Sequence, residues 1–464
     1  MLHKPLAVAA LLAASCGAQA ASDADLAAIR SQIDEMKKSY EQRIAALEQK
    51  LSQAEARGAS NPPVAAASAA DARAPVATAS ASSSASAFNP EVSLVLQGQY
   101  NQMKNVPNRT ITGFWPTEDG TNQRGFSVNE TELMLAANID PYWRGQAILS
   151  VQGDSVEVEE AWVRTLAIGE GLGIKGGRFK SGIGYLNEQH AHTWDFANAP
   201  LMYNVLFGPS ASYVEDGLQF KWLAPTPLFV EFGAEIGRGA AYPGNDSNKN
   251  GSGAGALYAH VGDDVGVSSS WRAGVSYLKT SANDRQADFV DVNGLAAQGS
   301  FNGDTDTWIA DFVWKWAPNG NPKYQNFKFQ SEYFVRKDKG DLSCAGLGSA
   351  CDPLAAGAAM TGNYDTRQSG WYAQGVYQFT PEWRAGLRYD QLDSGSQNLD
   401  ANAANRAVPD YKPKRATAMI DYSWSEFSRA RLQYAQDKSM QGVTDNQLTL
   451  QYIMSLGAHG AHTF

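Results

Sequence analysis

From Phe88 onward the chain alternates apolar and polar residues with a period of two, the pattern of strands that show one face to an apolar medium and the other to water. Sixteen segments are predicted, centred near Leu94, Leu133, Ala147, Ala161, Lys175, Gln219, Phe232, Ala259, Val275, Phe312, Phe329, Ala373, Leu387, Ala418, Leu432 and Tyr452. Trp308, Ala310, Phe312, Trp314 and Trp316 share one face while Asp311 and Lys315 take the other. Ala430, Leu432 and Tyr434 oppose Arg429, Arg431 and Gln433 in the same way. The fifth segment, LGIKGGRFK, alternates least.

Ahead of the strands the period changes. Leu26, Ile29, Ile33, Met36, Tyr40, Ile44, Leu47, Leu51 and Ala54 recur at steps of three and four, with one stutter at Tyr40 to Ile44. A stripe this narrow, flanked by Asp34, Glu35, Lys37, Lys38, Glu41, Arg43 and Glu48, favours a coiled coil between copies over 21–57, with a solvated single helix as the alternative. Residues 58–87 are Ala/Ser/Pro-rich and read as a flexible linker. Residues 1–20 have the layout of a signal peptide: Lys4, a short apolar run, and Ala18-Gln19-Ala20 as the cleavage site. The expected chain is therefore exported, with residues 88–464 as its main domain.

The connections between strands alternate in length. Asp140-Pro141, the segment 224–227, the segment 317–320, Thr380-Pro381-Glu382 and 423–428 are short, whereas 104–124, 181–210, 239–255, 280–305, 337–365 and 393–412 are long and polar. Short turns at one end and long loops at the other are expected of an outer-membrane barrel, with the turns in the periplasm. The expected fold is all-β: a sixteen-stranded antiparallel transmembrane β-barrel preceded by a short periplasmic coiled-coil helix. Leu448, Leu450, Tyr452, Met454, Leu456, Ala458 and Phe464 share one parity, which puts Phe464 on the lipid side at the periplasmic rim.

Composition agrees with many strands and turns: 43 Gly, 12 Trp, 19 Tyr and 18 Phe in 464 residues. The net charge of -10 argues against a nucleic-acid partner. Removal of Cys16 with the signal peptide leaves Cys344 and Cys351, an even pair in an oxidising compartment, so a local disulfide is expected.

On the polar faces, Arg178, Lys180, Arg384, Arg388, Arg429 and Arg431 are the candidate basic lining of the pore, and Glu188 and Asp195 add acid within the 181–210 loop. His190 and His192, one residue apart on an extended segment, point the same way and are candidate Zn²⁺ ligands, with Glu188 or Asp195 supplying a carboxylate. The alternative is a pair of polar loop histidines. No cofactor is otherwise implied.

The segment FNPEVSLVLQG (88–98), the Gly177-Arg178-Phe179-Lys180 run leading into a long loop, and the terminal strand together resemble the phosphate-selective porin O and P family over residues 88–464. That resemblance implies a sixteen-stranded, usually trimeric channel whose third external loop folds into the lumen, and 181–210 is the third long connection in chain order. The ending LGAHGAH plus an aromatic resembles proteins described as zinc-regulated outer-membrane proteins. The expected function is an outer-membrane porin for small hydrophilic solutes or ions, anion-leaning and phosphate-like, narrowed by loop 181–210. The competing readings are a metal-binding channel, and an anchor whose coiled coil holds peptidoglycan or a periplasmic partner. An enzyme is not expected, because no nucleophile elbow such as G-x-S-x-G is present.

Overall fold

A computed structural model describes residues 90–457, apart from 107–108, 115–122, 129–130, 153–154, 246–247, 347–348, 352–360 and 407–409. The expected signal peptide, coiled coil and linker, and the expectations for His459, His462 and Phe464, lie outside the described residues.

Sixteen antiparallel strands close into one barrel. They are β1 (Glu91–Gln102), β2 in two segments (Gly125–Val128 and Thr131–Asn138), β3 (Trp143–Gln152), β4 (Ser155–Thr165), β5 (Leu172–Lys180), β6 (Val214–Leu223), β7 (Phe229–Gly237) and β8 (Ala254–Val265). The second half is β9 (Ser269–Val290), β10 (Ala296–Trp316), β11 (Asn326–Ala345), β12 (Thr361–Gln378), β13 (Trp383–Asn398), β14 (Lys414–Ser425), β15 (Ser428–Lys438) and β16 (Asp445–Gly457). Both segments of β2 pair with β1, so they form one wall position with a register step between them. Closure runs from Ser93 opposite Gly457 to Gln102 opposite Leu448. It leaves no sheet edge, which a strand in lipid could not satisfy. All sixteen expected segment centres fall inside these strands.

The alternation sorts the faces as expected. Trp308, Phe312 and Trp314 are exposed on the outside of β10, while Ile309, Asp311 and Val313 between them are buried. From Trp308 to Trp316 the outward series rises roughly 26 Å at ~3.3 Å per residue, comparable with the ~25 Å apolar band of a membrane barrel. Aromatic pairs edge this band: Tyr277 with Trp308 at 4.8 Å, and Trp314 with Phe327 at 5.7 Å. No helix among the described residues is long and apolar enough to cross a membrane, which says nothing of a barrel, whose strands would cross instead.

One expected loop is instead mostly strand, and a second begins as strand. β9 and β10 continue up to a turn at 291–295, and β11 runs on to Ala345, so much of 280–305 and the start of 337–365 is hairpin ladder. Above the outward aromatics the inner face of these ladders stays buried but carries polar residues such as Thr280, Arg285, Thr305 and Asp338, and the outer face is polar too, so the period of two that marks strands in the sequence fades there while the backbone pairing persists. Cys344 ends this tall ladder and is joined to Cys351 by the expected disulfide.

An irregularity in β4 matters for the site. Ile148 pairs with Glu160 and Leu149 with Val158, so Glu159 has no partner and forms a bulge. The extra residue turns both Glu159 and Glu160 toward the interior, where strict alternation would send one of them outward.

Candidate functional site

The connection 181–213 between β5 and β6 folds back among the inward side chains of the barrel. It contains a single-turn 3-10 helix, Ala191–Thr193, and a short helix α1, Leu201–Phe207. Apart from Asn204, α1 (LMYNVLF) is apolar all round, a composition that needs burial on every side, and each of its residues is buried. Gly208 ends it with φ 73, a conformation that glycine adopts without strain, and donates its N–H to the Asn204 carbonyl. Leu201, Tyr203, Leu206 and Phe207 join one apolar cluster with Ile309, Phe334, Tyr372 and Leu392 of the barrel wall. Burying Leu206 and Phe207 alone contributes about 1.5–3 kcal/mol each.

An irregular segment inside a barrel must find partners for its backbone groups. Inward carboxylates accept its N–H groups. Glu235 on β7 takes the Gly182 N–H at 2.8 Å and the Ser181 hydroxyl. Glu332 on β11 takes the Tyr185 N–H at 2.6 Å and the Tyr203 hydroxyl at 3.1 Å. Asp390 on β13 takes the Leu201 N–H at 2.9 Å. Gly184, at φ 66, lies so close to Glu332 that a Cβ there would sit 2.5 Å from its Oε1.

Guanidinium groups meet its carbonyls from β13 and β15. Arg388 donates to Asn198 O at 2.7 Å, Arg429 to His192 O at 2.8 Å, and Arg431 to Trp194 O at 2.9 Å. Asp421 on β14 lies between Arg384 at 2.7 Å and Arg431 at 3.2 Å, and Asp195 of the loop bridges Lys328 at 2.5 Å and Arg384 at 3.2 Å. Four of the six expected basic residues, Arg384, Arg388, Arg429 and Arg431, are thus brought together. They are engaged with the loop and with aspartates rather than standing as a bare basic stripe.

Arg178 is not among them. It pairs with Asp216 at 2.7 Å, reaches the Val158 carbonyl, and its side chain is 43% exposed; Asp216 shares its parity with the exposed Leu218, Phe220 and Trp222. The expectation that Arg178 lines the interior is corrected: in the continuous β5 register Arg178 shares the parity of the exposed Leu172 and stands with outward-facing residues. Lys180 is buried inside, 2.6 Å from Glu159.

The two loop carboxylates are not beside the histidines. Glu188 pairs with Lys221 at 2.6 Å, and Asp195 is held by Lys328 and Arg384, which corrects their assignment as partners of His190 and His192. Burial raises the Glu188 carboxyl, but Lys221 and Lys175 outweigh it and bring it down to about 2. Burial likewise works against the Asp195 charge, and Lys328 and Arg384 hold that carboxyl well below the usual range.

Wall carboxylates surround the histidines instead. His192 Nδ1 lies 2.8 Å from Glu132 Oε1. His190 Nδ1 lies 3.2 Å from Glu132 Oε2 and 3.3 Å from Glu159 Oε1, and its Nε2 lies 3.6 Å from Glu160 Oε2. Burial and Lys180 act to lower the His190 imidazole, but Glu132 and Glu159 outweigh them and hold it well above the ordinary histidine value. The sequence marks Glu132 as lumen-facing by parity; Glu159 and Glu160 are hidden in it because the bulge breaks the parity that would have located them.

No family model matches this chain. It is similar to a protein of Aquifex aeolicus described as uncharacterized, 29% identical over 418 residues that cover 82% of this chain and 81% of that one. Among solved structures it is similar to OmpT of Vibrio cholerae with loop L8 deleted (9% identity, 79% of this chain and 99% of that one, TM-score 0.47). It is also similar to OprB of Pseudomonas putida (16%, 79% and 94%, TM-score 0.46) and to an anion-selective porin from Comamonas acidovorans (11%, 79% and 99%, TM-score 0.47).

Proposed function

We propose that this chain is an outer-membrane channel for small hydrophilic solutes, narrowed by the 181–213 segment and leaning toward anions. The observation that carries the reading is the interior of the barrel. A closed sheet with an aromatic and aliphatic outside has charged residues on its inner face, and the 181–213 connection folded among them is held by side chains of β2, β4, β6, β7, β11, β13 and β15. A barrel serving only as an anchor has no need of a charged, loop-braced interior.

The anion preference rests on a surplus of positive charge at one wall. Lys315, Lys328, Arg384, Arg429 and Arg431 face Asp195 and Asp421, five cations against two carboxylates. Arg384 and Arg429 keep about a fifth of their side-chain surface open, 22% and 19%. An anion that sheds part of its hydration there regains favourable charge interactions. The arginines already occupied by the loop argue for a general preference for negative charge and against a dedicated phosphate ladder.

A trimer belongs to the same reading, with the coiled coil expected over 21–57 registering three copies; light scattering of the detergent-extracted chain tests it, and a monomer overturns it. The channel itself is tested by planar-bilayer recordings of the full chain beside a version with 186–207 replaced by a short Gly/Ser linker. Discrete channels whose conductance rises several-fold on shortening support the proposal. Equal conductance places the segment off the path, and absence of channels in both overturns the function.

A further inference from the structure

We infer that the inner wall at β2 and β4, together with the loop histidines, forms a binding site for a borderline divalent cation of the Zn²⁺ class, with Glu132, Glu159 and His190 as its ligands. The site does not depend on the channel reading, since binding is measured without current.

The first argument is geometric. One ligand atom each from Glu132, Glu159 and His190 lies within 4.8 Å of the others. His190 Nδ1 is 3.2 Å from one carboxylate and 3.3 Å from the other. Around a tetrahedral Zn²⁺ with bonds of about 2.0–2.2 Å, neighbouring donors stand roughly 3.3–3.5 Å apart, so these atoms need only small shifts to receive an ion. Yet no hydrogen bond reaches Glu159 Oε2 although the atom is buried. A buried polar atom left in this way points to a ligand that uses it.

The second argument is the supporting shell. Glu132 presents its other oxygen to His192 Nδ1 at 2.8 Å, a contact that orients the carboxylate. Glu160 is fixed by the Lys180 N–H at 2.8 Å and the Trp162 indole N–H at 3.3 Å, and closes the far side of the His190 ring. The third argument is charge. Three carboxylates and one ammonium leave two negative charges around the imidazoles, which a divalent ion balances. The mixed imidazole and carboxylate donors favour zinc and its neighbours over calcium or magnesium, which prefer all-oxygen sets. Lys180 then swings off Glu159 as the ion takes that oxygen, and the fourth coordination position is left for water or a passing anion.

The test uses the full chain in detergent, titrated with Zn²⁺ against a chromophoric chelator and with Co²⁺ by visible absorption. One ion per chain is expected, with affinity falling about tenfold or more in both Glu159→Gln and His190→Gln. Both variants are near-isosteric, and heat-modified gel mobility reports whether each barrel has folded. The double variant His459→Gln/His462→Gln is expected to bind as the parent does. No saturable binding, binding unchanged in folded Glu159→Gln and His190→Gln, or binding lost only in the His459→Gln/His462→Gln protein overturns the inference.

Discussion

The two walls that hold the 181–213 segment use charge in opposite ways. At β13 to β15, arginines alternate with aspartates across the strands, and the guanidinium forks that remain reach the carbonyls of His192, Trp194 and Asn198. At β2 and β4, carboxylates outnumber cations and converge on two imidazoles. The loop N–H groups are taken by carboxylates on β7, β11 and β13, whereas the carboxylates of β2 and β4 meet imidazoles, so one wall is left with a surplus of cations and the other with a surplus of carboxylates. In the proposed channel the surplus on the basic side meets the solute; on the acidic side it gathers around His190. The surplus, rather than the total charge, is what each wall has available for solutes.

The comparison is broken most severely by removing a tie on the basic side. Arg388 is buried, its Nε 3.1 Å from Asp390 while its Nη atoms hold the loop carbonyls, and Arg388→Ala leaves that carboxylate short of a partner. The expected loss is about 3–5 kcal/mol, the usual result of deleting one member of a buried ion pair. Urea unfolding of the refolded barrel measures it, and single-channel current should become noisier as the loop loosens. A loss below about 1 kcal/mol would mean that the wall does not brace the loop.

A second change acts on selectivity. Arg429→Gln with Arg431→Gln keeps side-chain donors for the loop carbonyls but removes two of the five cations, so the reversal potential should move toward cations. The difference should shrink in 1 M salt, where the screening length is about 3 Å against about 10 Å at 0.1 M. A smaller effect of opposite sign is expected from Asp195→Asn, which deletes the carboxylate between Lys328 and Arg384. Anion preference should rise, and no change would place this wall away from the ion path.

The smallest effect is a pH range with no effect. Glu188 and Asp195 have carboxyl groups held below their ordinary values, so their contribution to loop docking is complete above the usual carboxylate range and is lost as pH falls through the lowered values. Conductance through the Glu188 side of the loop should therefore stay level from pH 7 to about 4.5 and rise only toward pH about 2, where the Lys221 pair is neutralised. A rise centred near pH 4.5 would show that the pair does not form.

Most of the barrel was legible from alternation because lipid and water impose a period of two wherever a strand lies between them. The tall β9 to β11 ladders lost that signal above the band, where the buried inner face also carries polar residues such as Thr280, Arg285, Thr305 and Asp338. On the basic wall parity groups Arg384, Arg388, Arg429 and Arg431 on one face, but sequence could not show that loop carbonyls from about 190 to 240 positions away would meet Arg388, Arg429 and Arg431. On the acidic wall the His190-Ala191-His192 spacing pointed to paired imidazoles, whereas their carboxylate neighbours lay on β2 and in the β4 bulge. Glu188 and Asp195 were nearer in sequence and farther in space, each drawn away by a lysine. A bulge is a local departure from alternation, and nothing in VEVEEAW announces which of its two glutamates is the extra one.

The most direct measurement is the zero-current potential of the full chain in planar bilayers under a steep KCl gradient. Discrete channels with the sign set by chloride are expected, because the open surplus of charge is the cationic one at Lys315, Lys328, Arg384, Arg429 and Arg431. A potential set by potassium would contradict that assignment of the path, and a barrel that reconstitutes folded yet passes no current would contradict the channel itself.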